Sequence, residues 1–140
     1  MIPIQLIDSL KSVKDFDETK FLEAHQEFEE ITSIRINPNK IFSNDINELN
    51  SLYNLNISKS IPWCEHGYYL KERPKFTLDP LLHAGAYYVQ EPSSMFLWYI
   101  LQQLFDKESI QKVLDVCAAP GGKSTLLSSY FANGLIVSNE

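Results

Sequence analysis

The sequence predicts an α/β protein in which a small N-terminal α+β domain precedes the first βαβ unit of a doubly wound sheet. Up to about residue 75, helical and strand patterns alternate in the order helix, strand, helix, strand, which is typical of a small α+β domain. From residue 112 onward, two apolar runs flank a glycine turn and a helical segment, and this is the order of a βαβ unit. The predicted domains are residues 1–76 and residues 77–140.

Composition and charge indicate a folded protein and exclude several classes. Of 140 residues, 44% are hydrophobic and 21% are charged, and the formal net charge is −6. A negative chain is not a strongly basic nucleic-acid binder, although lysine and arginine outnumber acids between residues 59 and 75. The two cysteines lack metal-ligand spacing, and no apolar run reaches the roughly 20 residues that span a membrane. We therefore expect a cytoplasmic protein with neither a metal site nor a membrane partner.

The elements of the first predicted domain follow from hydrophobic spacing and from residues that begin or end helices. Asp15 or Asp17 is expected to cap the first helix. In TSIRINP, Ile34 and Ile36 alternate with polar residues, and Pro38 ends the strand that this alternation predicts. The predicted helix, strand, helix and strand cover residues 15–30, 32–38, 43–55 and 67–70.

The second predicted domain opens with a linker over residues 77–80 and continues into a helix. Pro92 stands where the first turn of a helix tolerates proline. The apolar runs KVLDVCA and GLIVSNE are each expected to form a strand buried on both faces of a parallel sheet, with KSTLLSSYF as the helix between them. The positions expected to be buried in the first helix are Met95, Phe96, Trp98, Tyr99, Leu101 and Leu104.

The glycine turn, CAAPGGK at residues 117–123, does not match either of the common phosphate-binding loops. The nucleotide-hydrolase loop G-x-x-x-x-G-K-[ST] requires glycine at the position of Cys117, and Pro120 removes an N–H group that would face the phosphates. The dinucleotide fingerprint G-x-G-x-x-G is also absent. A phosphoryl-transfer enzyme is therefore disfavoured.

The same turn suits a nucleoside ligand that ends in a carboxylate. Small residues at Ala118, Ala119, Gly121 and Gly122 allow the backbone to approach a ligand, and the start of the following helix attracts negative charge. Glu140 follows Gly121 by 19 residues, near the spacing of an acid that accepts hydrogen bonds from ribose hydroxyls. S-adenosylmethionine has both a carboxylate and ribose hydroxyls. The alternative is a tight turn and a solvated acid at the end of a strand.

Three collinear segments resemble one family. DVCAAPGGKST is similar to the cofactor-binding motif of the RNA cytosine-C5 methyltransferases of the Sun/Fmu type, in particular the bacterial branch that methylates 16S ribosomal RNA. AYYVQEPSSMF resembles the segment that precedes this motif, and TSIRINP resembles the opening strand of the RNA-contacting domain. The resemblance implies an RNA-contacting domain over residues 1–76 and the start of a Rossmann-like class I methyltransferase domain over residues 77–140.

What the resemblance implies for individual residues concerns the cofactor rather than catalysis. Asp115, just before the loop, is expected to orient it through hydrogen bonds. In this family a cysteine thiolate attacks C6 of cytosine, so that C5 accepts the methyl group. The cysteines of the family lie in Pro-Cys and Thr-Cys motifs, which this sequence lacks. No catalytic residue is therefore assigned. The residues expected to bind S-adenosylmethionine are Cys117, Ala118, Ala119, Pro120, Gly121, Gly122, Lys123 and Glu140.

Two interpretations of the whole sequence follow. In the first, it is the N-terminal part of a longer RNA methyltransferase, and the chain alone neither methylates RNA nor binds the cofactor tightly. A sub-micromolar affinity for S-adenosylmethionine by titration calorimetry would contradict that expectation. In the second, it is a non-catalytic RNA- or protein-binding module that keeps a degenerate nucleotide turn.

The middle of the chain leaves a further alternative open. Aromatic and basic residues interleave there, which suits either the stacking of RNA bases or ordinary packing beneath a solvated basic face. The residues concerned are Trp63, Tyr68, Tyr69, Lys71, Arg73, Lys75 and Phe76.

Overall fold

The computed structural model describes residues 2–26, 31–106 and 112–140, and the chain forms two compact units, Met1–Glu30 and Ile31–Glu140. The first unit contains α1 (Ile4–Leu10), which was not predicted, and α2 (Glu18–Gln26). Oδ1 of Asp17 accepts a hydrogen bond of 3.1 Å from the backbone N–H of Lys20, so Asp17 is the acid that caps α2. The last part of the predicted helix, residues 27–30, lies outside the described residues.

The second unit holds two sheets. Its first sheet is antiparallel, with the strand order β2 (Ile57–Ile61), β3 (Cys64–Leu70), β1 (Ser33–Ile36) and β4 (Tyr87–Val89), and its second is the parallel pair β5 (Lys112–Asp115) and β6 (Leu135–Ser138). This α/β architecture confirms the predicted fold class. The elements are β1 (Ser33–Ile36), α3 (Ile46–Tyr53), β2 (Ile57–Ile61), β3 (Cys64–Leu70), α4 (Pro80–His83), β4 (Tyr87–Val89), α5 (Phe96–Leu104), β5 (Lys112–Asp115), α6 (Gly122–Tyr130) and β6 (Leu135–Ser138), with 3-10 turns at Phe76–Leu78 and Ser93–Met95.

The antiparallel sheet is packed on both faces at β1. Ile34 and Ile36 are fully buried in a core that includes Leu49 of α3 and Tyr68 of β3. Side chains alternate along a strand, so Arg35 points to the opposite face, where it is also buried. The alternation in the sequence therefore located β1 correctly, although the polar side of the strand does not face solvent.

A second core lies between β3 and the two longer helices of this unit. It brings Cys64 together with Trp98 of α5 and with Leu126 and Tyr130 of α6. The Trp98 ring packs edge-on against Tyr130, with 5.1 Å between ring centroids. This core fixes α6, and hence the loop before it, relative to the antiparallel sheet.

The prediction that β5 and β6 are buried on both faces is wrong. Val113 and Ile136 pack against the second core, whereas Leu114 is 60% exposed and Val137 is 49% exposed. Within the described residues, helices cover only one face of this pair of strands, so every second side chain meets solvent. The predicted helical core is also only half right, because Met95, Trp98 and Leu101 are buried whereas Phe96, Tyr99 and Leu104 are exposed.

The predicted linker is instead ordered structure. Residues 76–83 form a 3-10 turn and α4, whose apolar side chains Phe76, Leu81 and Leu82 pack against the first core. The domain boundary between residues 76 and 77 stays a prediction. The strand β4, which follows this boundary in the sequence, pairs with β1, which precedes it. None of the helices over residues 2–26, 31–106 and 112–140 is long and apolar enough to cross a membrane.

Candidate cofactor site

The loop over residues 117–123 joins β5 to α6 at the edge where both parallel strands end. Gly121 adopts a φ of 102°, a conformation that residues with a Cβ rarely adopt, and it occupies the N-cap position of α6. No side chain caps this helix, so the N–H groups of its first turn are available to a ligand. The loop therefore presents a site with positive potential at the edge of the sheet.

Asp115 connects the two ends of this loop. Its carboxylate accepts a hydrogen bond of 3.2 Å from the N–H of Cys117 and one of 2.7 Å from the hydroxyl of Ser124. Its backbone oxygen accepts a third, of 2.8 Å, from the N–H of Asn139 after β6. Asp115 is 8% exposed, so these bonds lie largely out of water. The hydrogen bonds expected of this residue from the sequence are present.

Glu140 lies beside the loop, as its distance along the sequence predicts. The N–H of Ala119 donates a hydrogen bond of 2.6 Å to Oε2 of Glu140, and the N–H of Ala118 donates one of 3.1 Å to the backbone oxygen of Asn139. Among the described residues, no group donates to Oε1 of the same carboxylate. One acceptor oxygen is thus held in place while the other remains open to a ligand.

The segment before α5 forms the opposite wall of a cavity of about 200 Å³. The hydroxyl of Tyr88 donates a hydrogen bond of 3.1 Å to the oxygen of Pro120, and the Gln90 amide donates one of 3.1 Å to the oxygen of Gly122. A Cβ at Gly122 would stand 3.4 Å from both side chains. The predicted site residues Gly121 and Glu140 do not line this cavity, whereas the other six do: Cys117, Ala118, Ala119, Pro120, Gly122 and Lys123.

Sequence reasoning did not assign Tyr88, Gln90 or Glu91 to the site, although all three line this cavity. The signal that pointed to them was the resemblance of AYYVQEPSSMF to the segment before the family motif. The Glu91 carboxylate accepts hydrogen bonds from the hydroxyl of Ser93 and the N–H of Ser94, and the first of these chiefly lowers its pKa. The cavity thus has an anionic group on the wall opposite the start of α6.

One of the two cysteines, Cys64, is not available as a nucleophile. Cys64 is 1% exposed in the second core, and burial raises the pKa of its thiol, so the thiol form dominates at neutral pH. Cys117 is exposed in the loop. Over the described ranges, no three His, Cys, Asp or Glu side chains come together as metal ligands would.

Some of the interleaved aromatic and basic residues are packed inside the protein, and others are exposed and available for contact with RNA. Tyr68 is 2% exposed in the first core, so it is not available to stack on a base. Tyr69 is half-buried beneath the ammonium group of Lys59, which lies 5.1 Å from its ring centroid. The side chains of Lys71, Arg73 and Lys75 are exposed and remain candidates for contact with phosphates.

Comparison with known proteins gives consistent matches. Residues 2–92 match a family model described as the N-terminal domain of 16S rRNA methyltransferase RsmF. The ribosomal RNA small subunit methyltransferase F of Shewanella piezotolerans is 36% identical over 111 residues, which is 77% of this chain and 23% of that protein. Its counterpart in Escherichia coli K12 is 36% identical over 142 aligned positions, or 97% of this chain and 28% of that protein.

A solved structure shows the same fold. A methyltransferase homologue from Pyrococcus horikoshii superimposes with a TM-score of 0.63 at 25% sequence identity, over 98% of this chain and 48% of that one. The chain spans about a quarter of the length of the curated relatives that it matches.

Proposed function

Because the chain belongs to the family of the N-terminal domain of 16S rRNA methyltransferase RsmF, we propose that it contributes the RNA-contacting and cofactor-binding elements of an RNA cytosine-C5 methyltransferase. The proposed substrate is 16S ribosomal RNA, the methyl donor is S-adenosylmethionine, and the enzyme works in the cytoplasm. The observation that carries this proposal is the hydrogen bond between Glu140 and Ala119, a residue of the loop that leads into the uncapped start of α6.

The residues at this loop fit the proposed cofactor. The backbone N–H groups of Gly122, Lys123 and Ser124 begin α6, where a carboxylate such as that of the methionine part is stabilised. Oε1 of Glu140 is an acceptor for a ribose hydroxyl. Oε2 of the same side chain accepts the hydrogen bond from Ala119, which holds the Glu140 carboxylate beside the loop. When bound, S-adenosylmethionine supplies an electrophilic methyl group on a sulfonium centre. The part of this chain is to bind and orient it.

We propose that neither cysteine of this chain reacts with cytosine. Cys64 is buried as a thiol, and Cys117 belongs to the cofactor loop. The cysteines of the proposed adduct with C6 lie outside this chain. We propose residues 1–76 as the RNA-contacting domain, supported by the exposed side chains of Lys71, Arg73 and Lys75, and residues 77–140 as the start of the methyltransferase domain.

Glu140→Gln tests the proposed ribose contact. Titration of the ¹⁵N-labelled chain with S-adenosylmethionine is expected to shift the amide signals of Gly121 and Gly122. The substitution keeps an acceptor for Ala119 but removes the charge, so affinity for both S-adenosylmethionine and adenosine should fall by about tenfold while affinity for methionine is unchanged.

Glu23→Gln is the matched control, since it removes one exposed carboxylate from α2. It should leave all three affinities unchanged. Absence of shifts at Gly121 and Gly122 would contradict the cofactor assignment and would favour the non-catalytic binding module. An adenosine affinity that is the same in Glu140→Gln would contradict the role of Glu140.

Deleting the gene tests the reaction itself. In bisulfite sequencing of 16S ribosomal RNA from the source organism, a cytosine protected by C5 methylation should become convertible once the gene is lost. Restoring the gene should restore protection at that position. An unchanged pattern of protected cytosines would contradict the proposed activity.

A further inference from the structure

Arg35 places a positive charge inside the second unit, on the side of β1 that faces α6. It is 2% exposed. Its Nε donates a hydrogen bond of 2.8 Å to Oε1 of Gln90, Nη2 donates one of 2.7 Å to the hydroxyl of Thr125, and Nη1 donates one of 3.2 Å to the hydroxyl of Ser129. All three acceptors are electrically neutral.

Within residues 31–106 and 112–140, this arrangement gives the charge of Arg35 no hydrogen-bonded counter-ion. None of its hydrogen-bond partners among the described residues is a carboxylate. A guanidinium group has five N–H donors, and the three bonds use three of them. Burial lowers the pKa of Arg35 to about 10, so the group remains protonated at neutral pH. Because a buried ion is costly unless an opposite charge accompanies it, an anion is expected to bind there.

A cavity of about 150 Å³ is lined by Arg35 and by Thr125 and Ser129, which accept hydrogen bonds from its guanidinium group, and it is separate from the cavity at the cofactor loop. Asn39 and Ser128 line it beside Arg35, and both are exposed at the surface. The carboxamide of Asn39 and the hydroxyl of Ser128 can each donate a hydrogen bond. No Asp or Glu is among the described residues that line this cavity, which we call the Arg35 pocket.

We propose that the Arg35 pocket binds a phosphate group, which supplies the missing counter-ion. A planar guanidinium group pairs with oxyanions through two parallel N–H groups, and two donors at the mouth suit the further oxygens of a tetrahedral anion better than a two-oxygen carboxylate. The phosphate belongs either to the backbone of an RNA strand or to a free phosphate ion. The inference concerns phosphate binding only and stands whether or not the enzyme transfers a methyl group.

A purely structural role for Arg35 is the competing explanation, because its hydrogen bonds tie β1 to α6. Substituting Arg35 would disturb both roles at once. Asn39→Asp separates them, since it adds a carboxylate at the mouth of the pocket and leaves the Arg35 bonds to Gln90, Thr125 and Ser129 in place. Gln103→Glu, an equivalent change at an exposed position of α5 outside the pocket, is its matched control.

The experiment observes the Nε–Hε signals of the ¹⁵N-labelled chain, which contains only two arginines, Arg35 and Arg73. Sodium phosphate is added while ionic strength is held constant with sodium chloride. The Arg35 signal should shift and saturate, whereas the signal of the exposed Arg73 should not follow the same curve. Sodium acetate at equal charge should produce a much smaller shift.

The two sources of phosphate are separated by a second titration with a single-stranded oligoribonucleotide that has no terminal phosphate. If the Arg35 signal saturates at a tenfold lower concentration of phosphate groups with the oligoribonucleotide than with inorganic phosphate, the ligand is the RNA backbone. The reverse order identifies a free phosphate ion. In Asn39→Asp the phosphate-induced shift of the Arg35 signal should be lost, and in Gln103→Glu it should persist. The proposal is overturned if neither probe shifts Arg35, if Arg35 and Arg73 shift in parallel without saturating, if acetate matches phosphate, or if Asn39→Asp responds like the control.

Discussion

Trp98→Ala is expected to lower the free energy of unfolding by about 3–5 kcal/mol, the largest loss of stability that we predict for one side chain. Trp98 is 1% exposed and lies at the centre of the second core, where its ring packs edge-on against both His66 and Tyr130. Alanine would leave a cavity between α5, α6 and β3. Urea unfolding followed by far-ultraviolet circular dichroism measures the loss without relying on the fluorescence of the tryptophan that is removed.

Ile100→Ala provides the control on the same helix. Ile100 is 40% exposed, so its truncation should change the free energy of unfolding by no more than about 0.5 kcal/mol. Trp98→Phe should fall between the two variants, since a smaller ring fills part of the space. A loss below about 1 kcal/mol in Trp98→Ala would show that the second core can collapse around the cavity and would contradict the packing described.

Asp115→Ala is expected to weaken S-adenosylmethionine binding by at least about tenfold and to destabilise the chain by about 2–3 kcal/mol. The change removes the acceptor for the N–H of Cys117 and for the hydroxyl of Ser124, so the loop loses its attachment to the start of α6. Titration with the cofactor gives the first quantity, and urea unfolding gives the second. Faster amide hydrogen exchange at Cys117 should accompany both effects.

Asp115→Asn discriminates between the loss of the hydrogen bonds that Asp115 makes and the loss of its negative charge. The asparagine oxygen can still accept from Cys117, and its amide can donate to the hydroxyl oxygen of Ser124. Both effects should therefore be smaller than in the alanine variant. If Asp115→Ala unfolds at the wild-type urea concentration and binds the cofactor with wild-type affinity, the carboxylate does not organise the loop.

The sequence was most informative where one physical requirement controls a segment. The glycine turn needed small residues at fixed positions, and the spacing to Glu140 follows from the length of a helix and a strand, so the structure brings both together. The pattern was less informative where a segment serves two neighbours. Thr125 and Ser129 of α6 bond to Arg35, while Leu126 and Tyr130 fill the second core, and the helix therefore has no simple polar face.

Short and polar strands escaped prediction for a related reason. In β2, only the two end residues of ISKSI are buried, so the sequence offers no alternation to detect. β4 has just three residues, and its place in the sheet depends on pairing with β1, which is distant in sequence. The burial of Arg35 could not be read from a strand that looked half-solvated. It depends on α6, about 90 residues further along the chain, covering that face.

One carboxamide is hydrogen-bonded both to Arg35 and to the cofactor loop. Gln90 accepts from Arg35 through its oxygen and donates to Gly122 of the cofactor loop through its nitrogen, so neither bond can be rearranged without affecting the other. If a bound anion alters the first bond and a bound nucleoside alters the second, each ligand changes the affinity for the other. Thermodynamic linkage then demands that the two effects be equal in size and sign.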